Sequence, residues 1–107
     1  MRPILHQSFL SGKLNRMSYR GLLDASLDDQ ALHISSPFSD AIIPIASIEE
    51  VKQICNIVEF GIRIRYRDPS GAHIVAFRTR KYKVWGAAFR QLGITVIPPK
   101  GWFSSVF

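Results

Sequence analysis

Three arginines alternate with apolar or aromatic residues in the stretch FGIRIRYRDPSG, residues 60–71. Successive side chains of a β-strand point to opposite faces, so Arg63, Arg65 and Arg67 share one face of the strand that this pattern predicts. Guanidinium groups bind carboxylates and phosphates through paired, charge-assisted hydrogen bonds. The stretch therefore predicts a cationic face that contacts phospholipid headgroups, nucleic-acid phosphate or an acidic peptide.

Basic residues continue beyond the turn that follows this strand. The candidate ligand-binding set comprises Arg63, Arg65, Arg67, Arg78, Arg80, Lys81 and Lys83. The competing interpretation is a solvated outer face, because Glu49, Glu50 and Glu59 can pair with the arginines across neighbouring strands. The sequence does not determine strand register, so both interpretations stay open, as does the question of whether Arg78 joins the arginine face.

The C-terminal segment GWFSSVF, residues 101–107, follows two prolines and is rich in aromatic residues. Trp102, Phe103 and Phe107 are candidates for contact with a membrane interface or a partner protein. The alternative is packing against the chain's own sheet. Apolar residues near the N-terminus raise the same question, and the two hydrophobic termini also allow a homo-oligomer.

The 107-residue chain carries a formal net charge of +6, which is unevenly distributed. Residues 24–59 contain seven acidic residues and one basic residue, whereas residues 60–83 contain seven basic residues and one acidic residue. The length fits one domain, and a hydrophobic content of 47% argues against disorder. No apolar run approaches the roughly 20 residues of a membrane-spanning helix. We therefore expect a soluble, cytoplasmic protein, with the inner face of the membrane as an alternative location.

Residues with catalytic side chains do not form a motif. The three histidines lie on different segments without metal-ligand spacing, and the single cysteine, Cys55, excludes a disulfide framework and a cysteine zinc cluster. The chain has neither a glycine-rich phosphate loop nor a Gly-x-Ser-x-Gly elbow. We expect no catalytic residues, no metal and no cofactor. An enzyme would instead require a deep polar pocket near His33 or His73.

Hydrophobic periodicity predicts several antiparallel strands followed by one helix. The predicted strands cover residues 18–28, with a bulge near Gly21, and residues 31–36, 41–45, 51–57, 61–67 and 73–79. Residues 80–92 have a helical pattern that Thr79 can cap and Gly93 can end. Its predicted core face consists of Val84, Trp85, Ala88, Phe89 and Leu92.

Three features taken in this order resemble the pleckstrin-homology-like superfamily, in particular its bacterial PH and GRAM-like members. They are the hairpin YRGLLDASLDDQALHIS, the string IIPIASIEEV, and a final hairpin that leads into a helix containing Trp85. The resemblance implies a mostly β fold, namely a bent antiparallel barrel of about seven strands capped by the C-terminal helix. It covers residues 17–95, which leaves an N-terminal extension at 1–16 and an aromatic tail at 96–107.

The resemblance does not extend to a ligand. Phosphoinositide-binding members of the superfamily use basic residues around the first hairpin turn. The matching turn in the predicted topology is Asp28-Asp29-Gln30, with Asp24 close by, and adjacent acids repel an inositol phosphate. We therefore transfer none of those binding residues to this chain.

The sequence thus predicts a non-enzymatic binding or scaffolding module. Its expected partner is an acidic protein or an anionic membrane surface, which contacts the basic hairpin. The alternative is a nucleic-acid-binding module. Tyr66, the aromatic residue among the arginines, is predicted to lie on the face opposite them, which counts against a platform for base stacking.

Overall fold

The computed structural model describes residues 4–14, 16–55 and 58–99. Over these residues the chain forms eight strands and one α-helix, with a 3-10 turn at Ile45–Ser47. The strands before the helix are β1 (Leu5–Leu14), β2 (Met17–Leu27), β3 (Ala31–Ser35), β4 (Asp40–Pro44), β5 (Ile48–Cys55), β6 (Phe60–Asp68) and β7 (Gly71–Arg78). The helix α1 (Tyr82–Gln91) and the short strand β8 (Val96–Ile97) follow.

All eight strands belong to one sheet in the order β4-β3-β2-β1-β7-β6-β5-β8. Neighbouring strands are antiparallel, except that β8 pairs with β5 in parallel. The predicted mostly β fold with one helix in the C-terminal region is confirmed. The predicted closure into a barrel is wrong, because over the described residues the sheet is open. The two-residue strand β8 occupies the outer edge of β5, and Pro44 on the opposite edge has no amide to donate.

The N-terminal strand β1 lies in the middle of this sheet, between β2 and β7. Residues 5–14 of the predicted extension therefore belong to the sheet, and the first hairpin is β1–β2. The register of that hairpin shifts twice, and Gly21 has a φ of +69°, which agrees with the bulge predicted near it. Phe9, at the other shift, has a φ of +59°.

The core lies between the sheet and one face of α1. Trp85 and Phe89 of the helix are fully buried, and the Trp85 ring meets Phe77 edge-on at a centroid distance of 5.0 Å. Val84 was predicted to lie on this face but is 51% exposed, because the buried stripe of the helix runs through Trp85, Gly86, Ala88 and Phe89. The prediction for Val84 was therefore wrong.

Only the C-terminal end of α1 lies where the sequence predicts it. Gly93 has a φ of +82° and ends the helix as predicted. At the other end the N-cap residue is Lys81, which makes no capping hydrogen bond with its side chain. The Thr79 hydroxyl instead accepts a hydrogen bond from the Lys81 amide at 3.0 Å. The helix therefore begins at Tyr82, two residues later than predicted.

The hairpin β6–β7 forms where the sequence predicts it. Its strands extend further than expected, because Asp68 pairs with Gly71 and leaves only Pro69 and Ser70 in the loop. The loop of this hairpin therefore has two residues. Gly71 has a φ of +128°, a conformation that favours glycine at the end of this tight turn.

Candidate anion-binding groove

The arginines of β6 face outward as predicted, and two of them are neutralised by β5. Ile62 and Ile64 are fully buried, whereas Arg63, Arg65 and Arg67 are exposed. Arg65 Nη2 lies 3.2 Å from Glu50 Oε2, and Arg67 Nε lies 3.4 Å from Glu49 Oε2. The ion pairs expected between the arginines and the acids of the neighbouring strand therefore form at Arg65 and Arg67.

Three other predicted residues lie away from the sheet face, where α1 begins. Arg80 and Lys81 precede the helix, Lys83 lies in its first turn, and all three side chains are exposed. Lys83 borders a shallow cavity of about 450 Å³, which is otherwise lined by apolar residues, Gln91 and the start of β1. These three residues therefore do not extend the arginine face of β6.

Arg63 and Arg78 line an open groove of about 1190 Å³ on the outer side of the sheet. The other cations of the groove are Lys13, Arg16 and Arg20, which lie on β1, on the β1–β2 turn and on β2. One carboxylate, that of Glu59, lines the same groove. We call this set of five basic residues the cationic groove.

Strand register explains why Arg63, unlike Arg65 and Arg67 on the same strand, does not pair with Glu49 or Glu50. Arg65 lies opposite Glu50 on β5, whereas Arg63 lies opposite Lys52. On the other side, Arg63 pairs with Ala76 of β7, which in turn pairs with Lys13 of β1. The ion pairs formed among the described residues include neither Arg63 nor Arg78. Glu49 and Glu50 therefore pair with Arg65 and Arg67 but with neither Arg63 nor Arg78.

The groove forms where β1 and β7 stop pairing. They pair only from Ser11 to Lys13, and this contact depends on Gly12, because a Cβ there would overlap the carbonyl oxygen of Ala76. Beyond Lys13 the chain turns into β2, while β7 extends to Gly71. The hairpin is anchored near the groove by the amide of Gly21, which donates to the Ser11 hydroxyl at 2.8 Å.

Sequence reasoning missed Lys13, Arg16 and Arg20 because it placed residues 1–16 outside the domain and began its first hairpin at β2. The first hairpin turn also lies elsewhere than the sequence predicts. The acidic turn Asp28-Asp29-Gln30 joins β2 to β3, whereas the first hairpin turn lies between Leu14 and Met17 and carries Arg16. One sequence feature could have identified these residues, because residues 1–23 contain four basic residues and no acidic residue.

The acidic turn has a structural role of its own. The carboxylate of Asp28 accepts hydrogen bonds from the amides of Gln30 and Ala31, each at 2.8 Å. These backbone hydrogen bonds lower the pKa of Asp28. Its charge therefore stabilises the β2–β3 turn and lies outside the groove lining.

Each histidine lies beside an aspartate. The pairs are His6–Asp24 at 2.9 Å, His33–Asp28 at 3.3 Å and His73–Asp68 at 2.9 Å. In a Ser-His-Asp triad the two ring nitrogens contact different partners. Here His73 Nε2 contacts both Ser70 and Asp68, so this cluster organises the β6–β7 turn. Within the described ranges no group of three His, Cys, Asp or Glu side chains is arranged to hold a metal ion.

The predicted membrane or partner contacts of the tail, Trp102, Phe103 and Phe107, lie outside the described residues. Over residues 4–14, 16–55 and 58–99, no helix has the length and apolar content needed to cross a bilayer. No protein-family model and no curated protein matches the chain.

Proposed function

We propose that this chain is a non-enzymatic binding module of the pleckstrin-homology-like type, which recognises an anionic partner through the cationic groove. The partner is an acidic protein or an anionic membrane surface. The observation that carries this proposal is the placement of five basic side chains and one carboxylate around a single groove. Like charges held close together cost folding energy, so a ligand that neutralises them gains that energy on binding.

The fold supports the resemblance in its antiparallel part. Seven consecutive strands lie in the order β4-β3-β2-β1-β7-β6-β5, and the helix that follows packs on the sheet with Trp85 in the core. The open sheet and the added parallel strand β8 are departures from the barrel that the resemblance implies. The proposal of a PH-like module rests on strand order and helix position together.

The groove favours an anionic protein or lipid over single-stranded nucleic acid. Proteins that bind single strands combine positive charge with exposed aromatic rings on which bases stack. The aromatic residues lining this groove are Tyr19 and Phe77, which are only 7% and 2% exposed. They pack into the core and leave no ring face for a base, so nucleic acid remains the second candidate.

Charge reversal in the groove tests the proposal. Arg63→Glu with Arg78→Glu changes the charge by four units on exposed side chains, so the fold should tolerate it. The probes are polyglutamate, vesicles with and without phosphatidylglycerol, and single-stranded DNA as a competitor. We expect the double variant to lose at least tenfold in affinity for its anionic probe, since each charge-assisted hydrogen bond contributes about 1.5–3 kcal/mol.

The matched control is Arg80→Glu with Lys83→Glu, which makes the same change in charge outside the groove. If binding depends only on net charge, both double variants will weaken it equally, and the groove proposal is wrong. If single-stranded DNA displaces both polyglutamate and the anionic vesicles at equal charge concentration, the partner is a nucleic acid and not an acidic protein or a membrane. Circular dichroism and the urea midpoint of each variant show whether the fold is intact.

A further inference from the structure

One edge of β7 is open beside the cationic groove. β7 pairs with β6 from Gly71 to Arg78, but with β1 only from Ala76 to Arg78. Among the described residues, no strand pairs with residues 71–75 on the β1 side. This stretch is about 16 Å long at the usual rise of an antiparallel strand.

The hydrogen-bond pattern shows which backbone groups face that open edge. The amide of Thr79 donates to the carbonyl of Phe60 at 3.1 Å, so this pair is a hydrogen-bonded one. Hydrogen-bonded and non-hydrogen-bonded pairs alternate along an antiparallel ladder. His73 and Val75 therefore direct their backbone groups toward β6, whereas Ala72 and Ile74 direct theirs to the opposite side.

The open edge and the cationic groove are parts of one surface. Ile74 lines the groove and is 62% exposed, and Lys13, Arg63 and Arg78 lie on the strands around it. A strand added along residues 71–75 would continue the line of β1 beyond its turn. Side chains of such a strand alternate between the two faces of the sheet, so those on the outer face meet the cations.

We infer that the groove binds an acidic peptide segment in extended conformation, which adds a strand to β7 at Ala72 and Ile74. This inference rests on the proposed function and specifies its partner. Main-chain hydrogen bonds to the edge supply affinity, and the cations select carboxylate side chains. A second copy of this chain does not fit, because edge-to-edge pairing would bring two sets of five cations together. A lipid headgroup neutralises the cations but leaves the edge unpaired.

Two peptides of equal charge test this inference. The first is a fluorescein-labelled (Glu-Thr)5 peptide, and the second is the same peptide with every glutamate amide N-methylated. In an antiparallel pair, residues whose side chains share the outer face with Ile74 direct their amides toward β7. The N-methylated peptide cannot donate its two backbone hydrogen bonds to the open edge of β7, so it should bind about tenfold less tightly than the first peptide. Fluorescence anisotropy at low and physiological salt measures both affinities on the full chain.

Variants at Ile74 test the same contact from the protein side. Ile74→Pro removes an amide that faces the open edge and should leave the ladder with β6 intact. Ile74→Thr retains the amide and is the matched control. We expect Ile74→Pro to weaken binding of the first peptide about tenfold and Ile74→Thr to weaken it less than threefold. In NMR hydrogen exchange, this peptide should protect the amides of Ala72 and Ile74, and anionic vesicles should not.

The outcomes separate this inference from the proposed function. If both peptides bind equally and Arg63→Glu with Arg78→Glu abolishes both interactions, the groove recognises anions but strand addition is wrong. If vesicles bind and neither peptide does, the partner is a lipid surface and strand addition is again wrong. If no anionic probe binds, the proposed function and this inference both fail.

Discussion

The side-chain oxygen of Gln7 on β1 accepts a hydrogen bond from the indole nitrogen of Trp85 on α1 at 2.9 Å. The same oxygen accepts a second hydrogen bond from the Thr79 hydroxyl at 2.8 Å. Trp85 and Thr79 are both buried, so neither donor has water as an alternative partner. Gln7 thus connects the first strand of the chain to its helix.

Replacing Gln7 by leucine should therefore destabilise the fold. The substitution removes the acceptor and leaves two buried donors unsatisfied, each at a cost of about 1–3 kcal/mol. We expect Gln7→Leu to lower the free energy of unfolding by about 2–4 kcal/mol in urea denaturation. Gln91→Leu, on the exposed side of α1, is the matched control and should change it by less than about 0.5 kcal/mol. Equal effects of the two substitutions would contradict this role of Gln7.

Gly86 in α1 should be an exception to the rule that alanine stabilises helices. A Cβ at this position would overlap the side-chain amide of Gln53, which is buried and donates to the Tyr82 carbonyl at 3.1 Å. We expect Gly86→Ala to destabilise the protein by about 1–2 kcal/mol, because losing a buried hydrogen bond outweighs the gain in helix propensity of about 1 kcal/mol.

A double-mutant cycle separates the two effects at Gly86. In a Gln53→Ala background the amide is absent, so Gly86→Ala should be neutral or stabilising there. Thermal denaturation of the four proteins measures this coupling. A destabilisation by Gly86→Ala of the same size in both backgrounds would show that Gln53 is not the cause.

The elements that sequence analysis predicted well have strong local signals. The hairpin β6–β7 has strict alternation on both sides of Asp68-Pro69-Ser70-Gly71, and α1 has an apolar face that ends at Gly93. β1 was missed because its register shifts at Phe9, which has a φ of +59° and interrupts the alternation on which strand prediction depends. A bulge of this kind has no distinct signature in a single sequence.

The cationic groove was only partly predictable for a different reason. Glu49 and Glu50 were available as partners for the arginines of β6, but only the register shows that Arg63 lies opposite Lys52. The pairing of β1 with β7 joins residues more than 60 positions apart in the chain. Such long-range pairing depends on packing of the whole sheet, so local patterns contain no information about it.

The turn between β6 and β7 should make the free energy of unfolding depend on pH in the acidic range. Hydrogen bonds from the Ser70 hydroxyl, from His73 and from the Ser70 amide lower the pKa of Asp68 from 3.8 to about 2. Because the folded-state pKa lies below the unfolded value, this contribution is complete above about pH 4 and is lost as the pH falls toward 2. Stability should therefore decline with acid across that window.

Asp68→Asn tests this dependence. The variant should be less stable than the parent at neutral pH, and its urea midpoint should fall less steeply between about pH 4 and pH 2. Some acid dependence should remain, because hydrogen bonds also lower the pKa values of Asp24 and Asp28. Asp29→Asn, at an exposed turn position, is the control. Identical pH profiles for Asp68→Asn and the parent would contradict this assignment.

Arg16 combines a strained backbone with a position in the cationic groove. Its φ is +67°, a left-handed conformation that costs a residue with a Cβ about 1–2 kcal/mol relative to glycine. Arg16→Gly should therefore raise the free energy of unfolding by up to about 1 kcal/mol, because glycine also loses more backbone entropy on folding. The same substitution should weaken polyglutamate binding, since it removes one of five cations from the groove.

Arg20→Gly makes the matched comparison, because it removes another groove cation from within the strand β2. Glycine in a strand interior destabilises by about 0.5–1 kcal/mol, so this variant should lose both stability and affinity. Urea denaturation and anisotropy with labelled polyglutamate measure the two quantities for each protein. If Arg16→Gly raises the free energy of unfolding, Arg20→Gly lowers it and both weaken binding to a similar extent, the Arg16 side chain contributes to binding while its backbone conformation destabilises the fold. An Arg16→Gly protein that is less stable than the parent would instead assign Arg16 a structural role in the hairpin.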